Sequence, residues 1–191
     1  MSDAATLVEK ESPHLPEVAF STRITSLFGI RYPILAGGLQ WLANADYVAA
    51  AVNAGIMGFI TAASLPDDES LIAEIRRCRA LTGGWPFGVN VSMLPKLAQH
   101  ERVDQIMKVI VDENVAFVET AGRSPAQYVP LLHEAGVKII HKVPAVRYAV
   151  SAEQAGVDAV SIVGYECGGH PGMELVGSFV QAALAAQKLS I

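Results

Sequence analysis

Val157-Asp-Ala-Val-Ser-Ile-Val-Gly-Tyr-Glu-Cys-Gly-Gly-His-Pro-Gly172 joins a short apolar run to a glycine-rich polar loop. Val157 to Val163 reads as a strand, and Gly164 ends it. The loop that follows holds His170 between Gly168-Gly169 and Pro171-Gly172. Pro171 restricts His170 to extended backbone and stiffens its position. An imidazole titrates near neutrality, so a histidine held at the end of a buried strand suits proton transfer.

The same order of strand, loop and helix repeats upstream. Pro33 to Ala36 is an apolar run closed by Gly37-Gly38. A helix is expected over residues 44 to 54, with Asn44 as N-cap and Gly55 as its stop. Further strands are expected at Met57–Ala62, Phe87–Val91, Val115–Glu119 and Val137–His141, with Ala121-Gly122 breaking the fourth. Helices are expected over residues 69–81, 102–113, 125–135, 144–155 and 175–188. The strands are rich in valine and isoleucine without polar alternation, as in a parallel sheet buried on both faces.

Strict alternation of strand and helix fits an open doubly wound sheet or a (β/α)₈ barrel. Polar groups recur after successive strands: Gly38-Leu39-Gln40, Asn90 with Ser92, Glu119-Thr120, His141-Lys142 and His170. Barrel enzymes collect their sites this way, whereas open sheets concentrate ligand groups at one switch point. Neither a GxGxxG nor a GxxxxGK[ST] phosphate loop occurs. The expected fold is therefore an α/β TIM (β/α)₈ barrel, here incomplete with six βα units. Eight units usually take about 250 residues. Residues 1–22 are expected to be a mobile extension, and 23–191 the barrel domain lacking its last two units. Strands one and six would then have unpaired edges, which invite homo-oligomer formation.

The chain has 191 residues, of which 51% are hydrophobic and 17% charged, with a net charge of −5. That charge argues against nucleic acid as a partner. No run reaches the ~18 apolar residues of a membrane span, so a membrane location is not expected. The acidic N-terminus does not read as a secretory signal. Two cysteines, Cys78 and Cys167, give no disulfide framework, and the expected compartment is the cytoplasm. No His/Cys spacing suggests a metal site.

Five separated motifs, in order, carry a family resemblance. They are Pro33-Ile-Leu-Ala-Gly-Gly-Leu-Gln-Trp41, Pro86-Phe-Gly-Val-Asn90, Val118-Glu-Thr-Ala-Gly122, Val137-Lys-Ile-Ile-His-Lys142, and Asp158 through Gly172. On these the chain resembles the nitronate monooxygenases, formerly 2-nitropropane dioxygenases, and in particular their FMN-dependent bacterial members. The resemblance implies a TIM barrel with noncovalent FMN at the strand ends. It implies oxidation of alkyl nitronates, and in some members nitroalkanes, by O₂ to a carbonyl compound and nitrite. It places Gly38, Leu39 and Gln40 along the flavin, and Asn90 and Ser92 at the same mouth. Lys142 would contact FMN, Gly168 and Gly169 would border it, and His170 would be the catalytic histidine. Val163 stands where many relatives are acidic. The family's phosphate-binding glycine segments follow strands seven and eight, so a truncated chain is expected.

Alternative readings are an FMN-dependent enoyl-thioester reductase, an inactive barrel fragment, and a module binding a phosphorylated metabolite. His141 is expected in the core, since it points away from Lys142. His14, His100 and His133 are expected at the surface, Trp41 and Trp85 in packing, and Cys167 as a small buried side chain. Tyr165 and Glu166 are expected to stabilise the loop.

Overall fold

A computed structural model describes residues 20–93, 102–169 and 171–191. The described residues open with α1 (Arg23–Phe28), a helix that the sequence reading did not anticipate. Thr22 and Thr25 form a reciprocal capping box at its start, and Gly29 ends it in the left-handed conformation. Six strand–helix units follow: β1 (Leu35–Ala36), α2 (Ala45–Asn53), β2 (Met57–Thr61), α3 (Asp68–Leu81), β3 (Gly88–Met93), α4 (Val103–Asp112), β4 (Phe117–Gly122), α5 (Val129–Glu134), β5 (Lys138–Val143), α6 (Val146–Gln154), β6 (Ala159–Ile162) and α7 (Ser178–Ala186). A 3₁₀ turn at Ala62–Ser64 follows β2. Asn44 caps α2, as its position predicts, by accepting from the Tyr47 amide at 3.0 Å.

All pairings are parallel, and the strands lie in chain order from β1 to β6. The expected incomplete barrel is what forms. β4 does not break at Ala121-Gly122. Met93 of β3 pairs with Gly122, and Lys142 of β5 pairs with Ala121, so the ladder carries the strand through both residues. β5 likewise runs past Lys142 to Val143. These continuations lift the strand tips by about one residue pair and bring Lys142 into the sheet.

Period-two alternation sorts the strand residues onto two buried faces. Val89, Val91, Val118, Ile139 and Val143 face outward and pack with α2, α3, α4, α5 and α6. Met57, Phe59, Phe117, Ile140 and Ala159 face inward and form a second cluster with Phe28. The Phe28 ring stands edge-on to Phe59 at 6.3 Å and tilted against Phe117 at 4.9 Å. α1 thus plugs the concave side of the sheet near the strand starts. Gly88 makes room for the Phe59 ring on which Phe28 packs, because a Cβ there would lie 2.3 Å from it. Among the described residues no helix is long and apolar enough to cross a membrane.

Cys78 is buried, and burial pushes its thiol up to about 12, so it is inert at neutral pH.

Removing the plug tests this arrangement. Phe28→Ala should cost about 3–5 kcal/mol of unfolding free energy in denaturant titration. A loss below about 1 kcal/mol would mean that α1 does not seal the inner cluster.

Candidate active site at the strand tips

Above the inner apolar cluster the alternation places a polar layer. Thr61, Asn90 and Glu119 stand side by side across β2, β3 and β4, in register, and Lys142 lies one step further along β5. Glu119 is only 3% exposed. A buried carboxylate must be paired and hydrogen-bonded. Three donors meet this one. The Gly38 amide donates to Oε2 at 3.0 Å, Asn90 Nδ2 donates to the same oxygen at 2.5 Å, and Lys142 Nζ lies 3.1 Å from Oε1. A carboxylate oxygen accepts and cannot donate, so the Asn90 amide nitrogen, not its oxygen, faces Glu119.

Gly38 follows β1, and β1 is not a neighbour of β4 in the sheet. Its bond to Glu119 therefore spans the concave side and requires a curled sheet. The approach is tight: a Cβ on Gly38 would lie 2.3 Å from Asn90 Cγ, and one on Gly37 would lie 2.9 Å from Glu119 Oε1. The Gly37-Gly38 pair is thus a close backbone approach and not merely a turn.

Of the residues expected at the site, Gly38, Asn90 and Lys142 converge on Glu119. Ser92 lies on the same face as Asn90, one step nearer the mouth, and is exposed. Leu39 and Gln40 are exposed in the turn that follows β1, where the Leu39 carbonyl accepts from the Leu42 and Ala43 amides. Gly168 and Gly169 stand in an exposed loop with no atom within 4 Å of either would-be Cβ. The next part of that loop packs on the β5 end, with a Cβ at Gly172 only 2.7 Å from Pro144. His170, His14 and His100 lie outside the described residues.

Sequence reading marked Glu119 as a polar group at a strand end and gave it no role. The available signal was a lone carboxylate inside Phe117-Val118-Glu119, an otherwise apolar strand. Thr61 carries a further signal. Its hydroxyl is buried and has no hydrogen-bond partner in the described protein.

His141 behaves as expected. It is buried on the outer face, with Nδ1 2.8 Å from Thr120 Oγ1. Burial lowers its pKa, more than the Thr120 contact raises it. A cavity of about 470 Å³ lies on that side, bounded by His141, Val143, Tyr148 and Ser151. The sheet separates it from Glu119. Glu166 holds the loop by accepting from the Ser178 amide at 2.8 Å and from its hydroxyl. His133 is a surface residue paired with Asp158. Trp41 departs from the packing expectation: it is 74% exposed, and its amide donates to Ser64 Oγ at 2.8 Å. Cys167 is half-buried rather than fully buried.

The donor set suits the polar edge of a flavin ring. The Lys142 ammonium and Asn90 amide can face carbonyl oxygens, the bare Gly38 backbone allows close approach, and the unsatisfied Thr61 hydroxyl leaves hydrogen-bonding capacity in the same layer. None of the polar groups gathered here forms a phosphate cradle.

Two outcomes are expected. Gly38→Ala should displace Asn90 and lower the melting temperature by several degrees, about 1–3 kcal/mol for overpacking; an unchanged melt would contradict the close approach. Burial makes His141 harder to protonate in the folded protein than in the unfolded chain. Its contribution to stability is complete above the ordinary value of 6.5 and is lost as pH falls through that value toward the lowered folded one. His141→Gln should flatten the fall in stability across that window, and an identical pH profile would contradict the assignment.

The comparisons with known proteins agree with the fold. The nitronate monooxygenase family model matches residues 21–108 and 95–189. An (3aS,4S,5R,7aS)-5-hydroxy-7a-methyl-1-oxo-octahydro-1H-indene-4-carboxyl-CoA dehydrogenase of Mycobacterium tuberculosis is 33% identical over 79% of this chain, which spans 41% of that protein. FabK from Thermotoga maritima superposes with a TM-score of 0.81 at 33% identity, over 90% of this chain and 52% of its own. A nitroalkane oxidase from Streptomyces ansochromogenes gives 0.76 at 25% identity, over 87% and 58%. This chain thus spans roughly half the length of these proteins. With a family model matched along nearly all of its described length and a polar layer at the strand tips, the chain belongs to the nitronate monooxygenase family.

Proposed function

We propose that this chain supplies the ring-binding half of an FMN-dependent nitronate monooxygenase. The substrate would be an alkyl nitronate or nitroalkane and the oxidant O₂, with a carbonyl compound and nitrite as products. One observation carries the reading: groups from beyond β1 and from β3 and β5 converge on Glu119 of β4, with Lys142 and Asn90 in the same polar layer.

FMN, when bound, supplies the electron acceptor that the amino acids lack. Lys142, Asn90 and the Gly38 backbone would hold its ring, with Leu39, Gln40 and Ser92 at the rim and Gly168 and Gly169 beside it. Nitronates already lack the α-proton. A nitroalkane must lose it, and His170 is the proposed base that accepts that proton. The apolar cluster beneath the site excludes water from below the ring.

A second reading is favoured by the 33% identical relative, whose name describes dehydrogenation of a CoA thioester. On that reading the same pocket serves an acyl thioester, as in a flavin-dependent thioester reductase or dehydrogenase.

The test is reconstitution with FMN followed by parallel assays. Nitrite release from an alkyl nitronate in air supports the first reading. Anaerobic bleaching of the flavin by NADH, without nitrite release, supports the second. Absence of any bound yellow cofactor contradicts both. Within the first reading, His170→Asn should slow nitroalkane turnover by about 10²–10⁴-fold and affect nitronates far less. Equal losses on both substrates would remove the base role.

A further inference from the structure

We infer that Glu119 is a positioning residue of the ring pocket, acting through Lys142. Three groups from beyond β1, from β3 and from β5 meet this one carboxylate: the Gly38 and Asn90 amides donate to it and the Lys142 ammonium forms an ion pair with it. Its side chain is 5% exposed, while that of Lys142 is 29% exposed. The carboxylate is therefore the buried anchor, and the lysine is the member that a ligand can reach. An ammonium has three protons and a flexible stem, so a free lysine samples many positions. The ion pair to Glu119, 3.1 Å long, restrains where the ammonium sits and so which way its protons can project. The carboxylate also offsets the lysine charge inside a site of reduced dielectric.

Substitution by glutamine keeps the size and removes the charge. The amide has one accepting oxygen, and its NH₂ opposes donors on the other side. At least one of the three donors then loses its acceptor, and Lys142 is released. Charge-assisted hydrogen bonds are the stronger kind, so release should be measurable.

The inference rests on the flavin reading for its ligand, and the experiment separates the two. In the protein without FMN, labelling of lysines by an amine-selective reagent is followed by mass spectrometry, with exposed Lys188 as internal reference. Lys142 should label several-fold more slowly than Lys188 in the wild type, and Glu119→Gln should abolish the difference. FMN affinity should fall by roughly tenfold or more in Glu119→Gln. In a Lys142→Met background the same substitution should change FMN affinity little, since the lysine through which it acts is gone. If Glu119→Gln fails to fold, the wild-type labelling ratio still decides. Lys142 labelling as fast as Lys188 overturns the inference. So does a folded Glu119→Gln with unchanged labelling and FMN affinity, or one whose FMN loss is the same with and without Lys142. Slow labelling released by Glu119→Gln, in a protein that binds no FMN, would sink the flavin reading and leave the positioning role standing.

Discussion

A single buried carboxylate organises the mouth of this half-barrel. Glu119 cannot be left without partners in an interior that excludes water. The chain meets that requirement with a backbone amide from one side of the concave face and an ammonium from the other. The first of these bonds joins strand tips that the hydrogen-bonded ladder does not join. It requires a curled sheet, glycines after β1 and Asn90 placed against them. Below this layer the packing is purely apolar, with Phe28 filling the position where the inward faces of the strands converge. Polar residues gather above and aromatic ones below because the strands alternate in step, and one register fixes both.

That layering gives the two faces of β5 separate tasks. Lys142 points to the concave side and takes part in the charged group. His141, one residue earlier, is buried among the helices against Thr120. A shift of one residue in register would exchange the two, placing a neutral imidazole in the mouth and a charged amine in the helix layer. The pairing of Ala121 with Lys142 excludes this arrangement. The outer cavity beside His141, of about 470 Å³, lies on the opposite side of the sheet from the convergent polar groups.

The architecture was legible in the sequence because valine-rich strands and glycine-terminated helices recur without interruption. Asn44 and Gly55 marked the limits of α2 by ordinary capping chemistry. α1 was not legible: Arg23 to Phe28 is too short for a periodic signal, and its stability comes from the Thr22–Thr25 box and the burial of Phe28. The end of β4 was placed too early because Ala121-Gly122 reads locally as a breaker, and β5 was ended too early at Lys142, ahead of Pro144. Ladder bonds to strands thirty residues away override that preference. Gly38, Asn90 and Lys142 stood among the polar groups after strands and were named as site residues through the family resemblance; what the structure adds is that the three converge on Glu119. Glu119 was not given a role, since what makes it central is a contact across 81 positions of sequence. Trp41 was misread for a related reason. A tryptophan usually packs, but the turn that fixes this one orients its backbone toward Ser64 and leaves the ring in solvent.

The most direct test of this account is amide hydrogen exchange at Gly38, followed by NMR in the protein without ligand. Gly38 lies beyond the end of β1, so no ladder bond protects it. Its one protecting acceptor is the Glu119 carboxylate. The account predicts exchange slowed well below the unstructured rate and markedly slower than at the exposed Gln40 next to it. Exchange at the unstructured rate would mean that the tips of β1 and β4 do not meet, and the shared site would not exist.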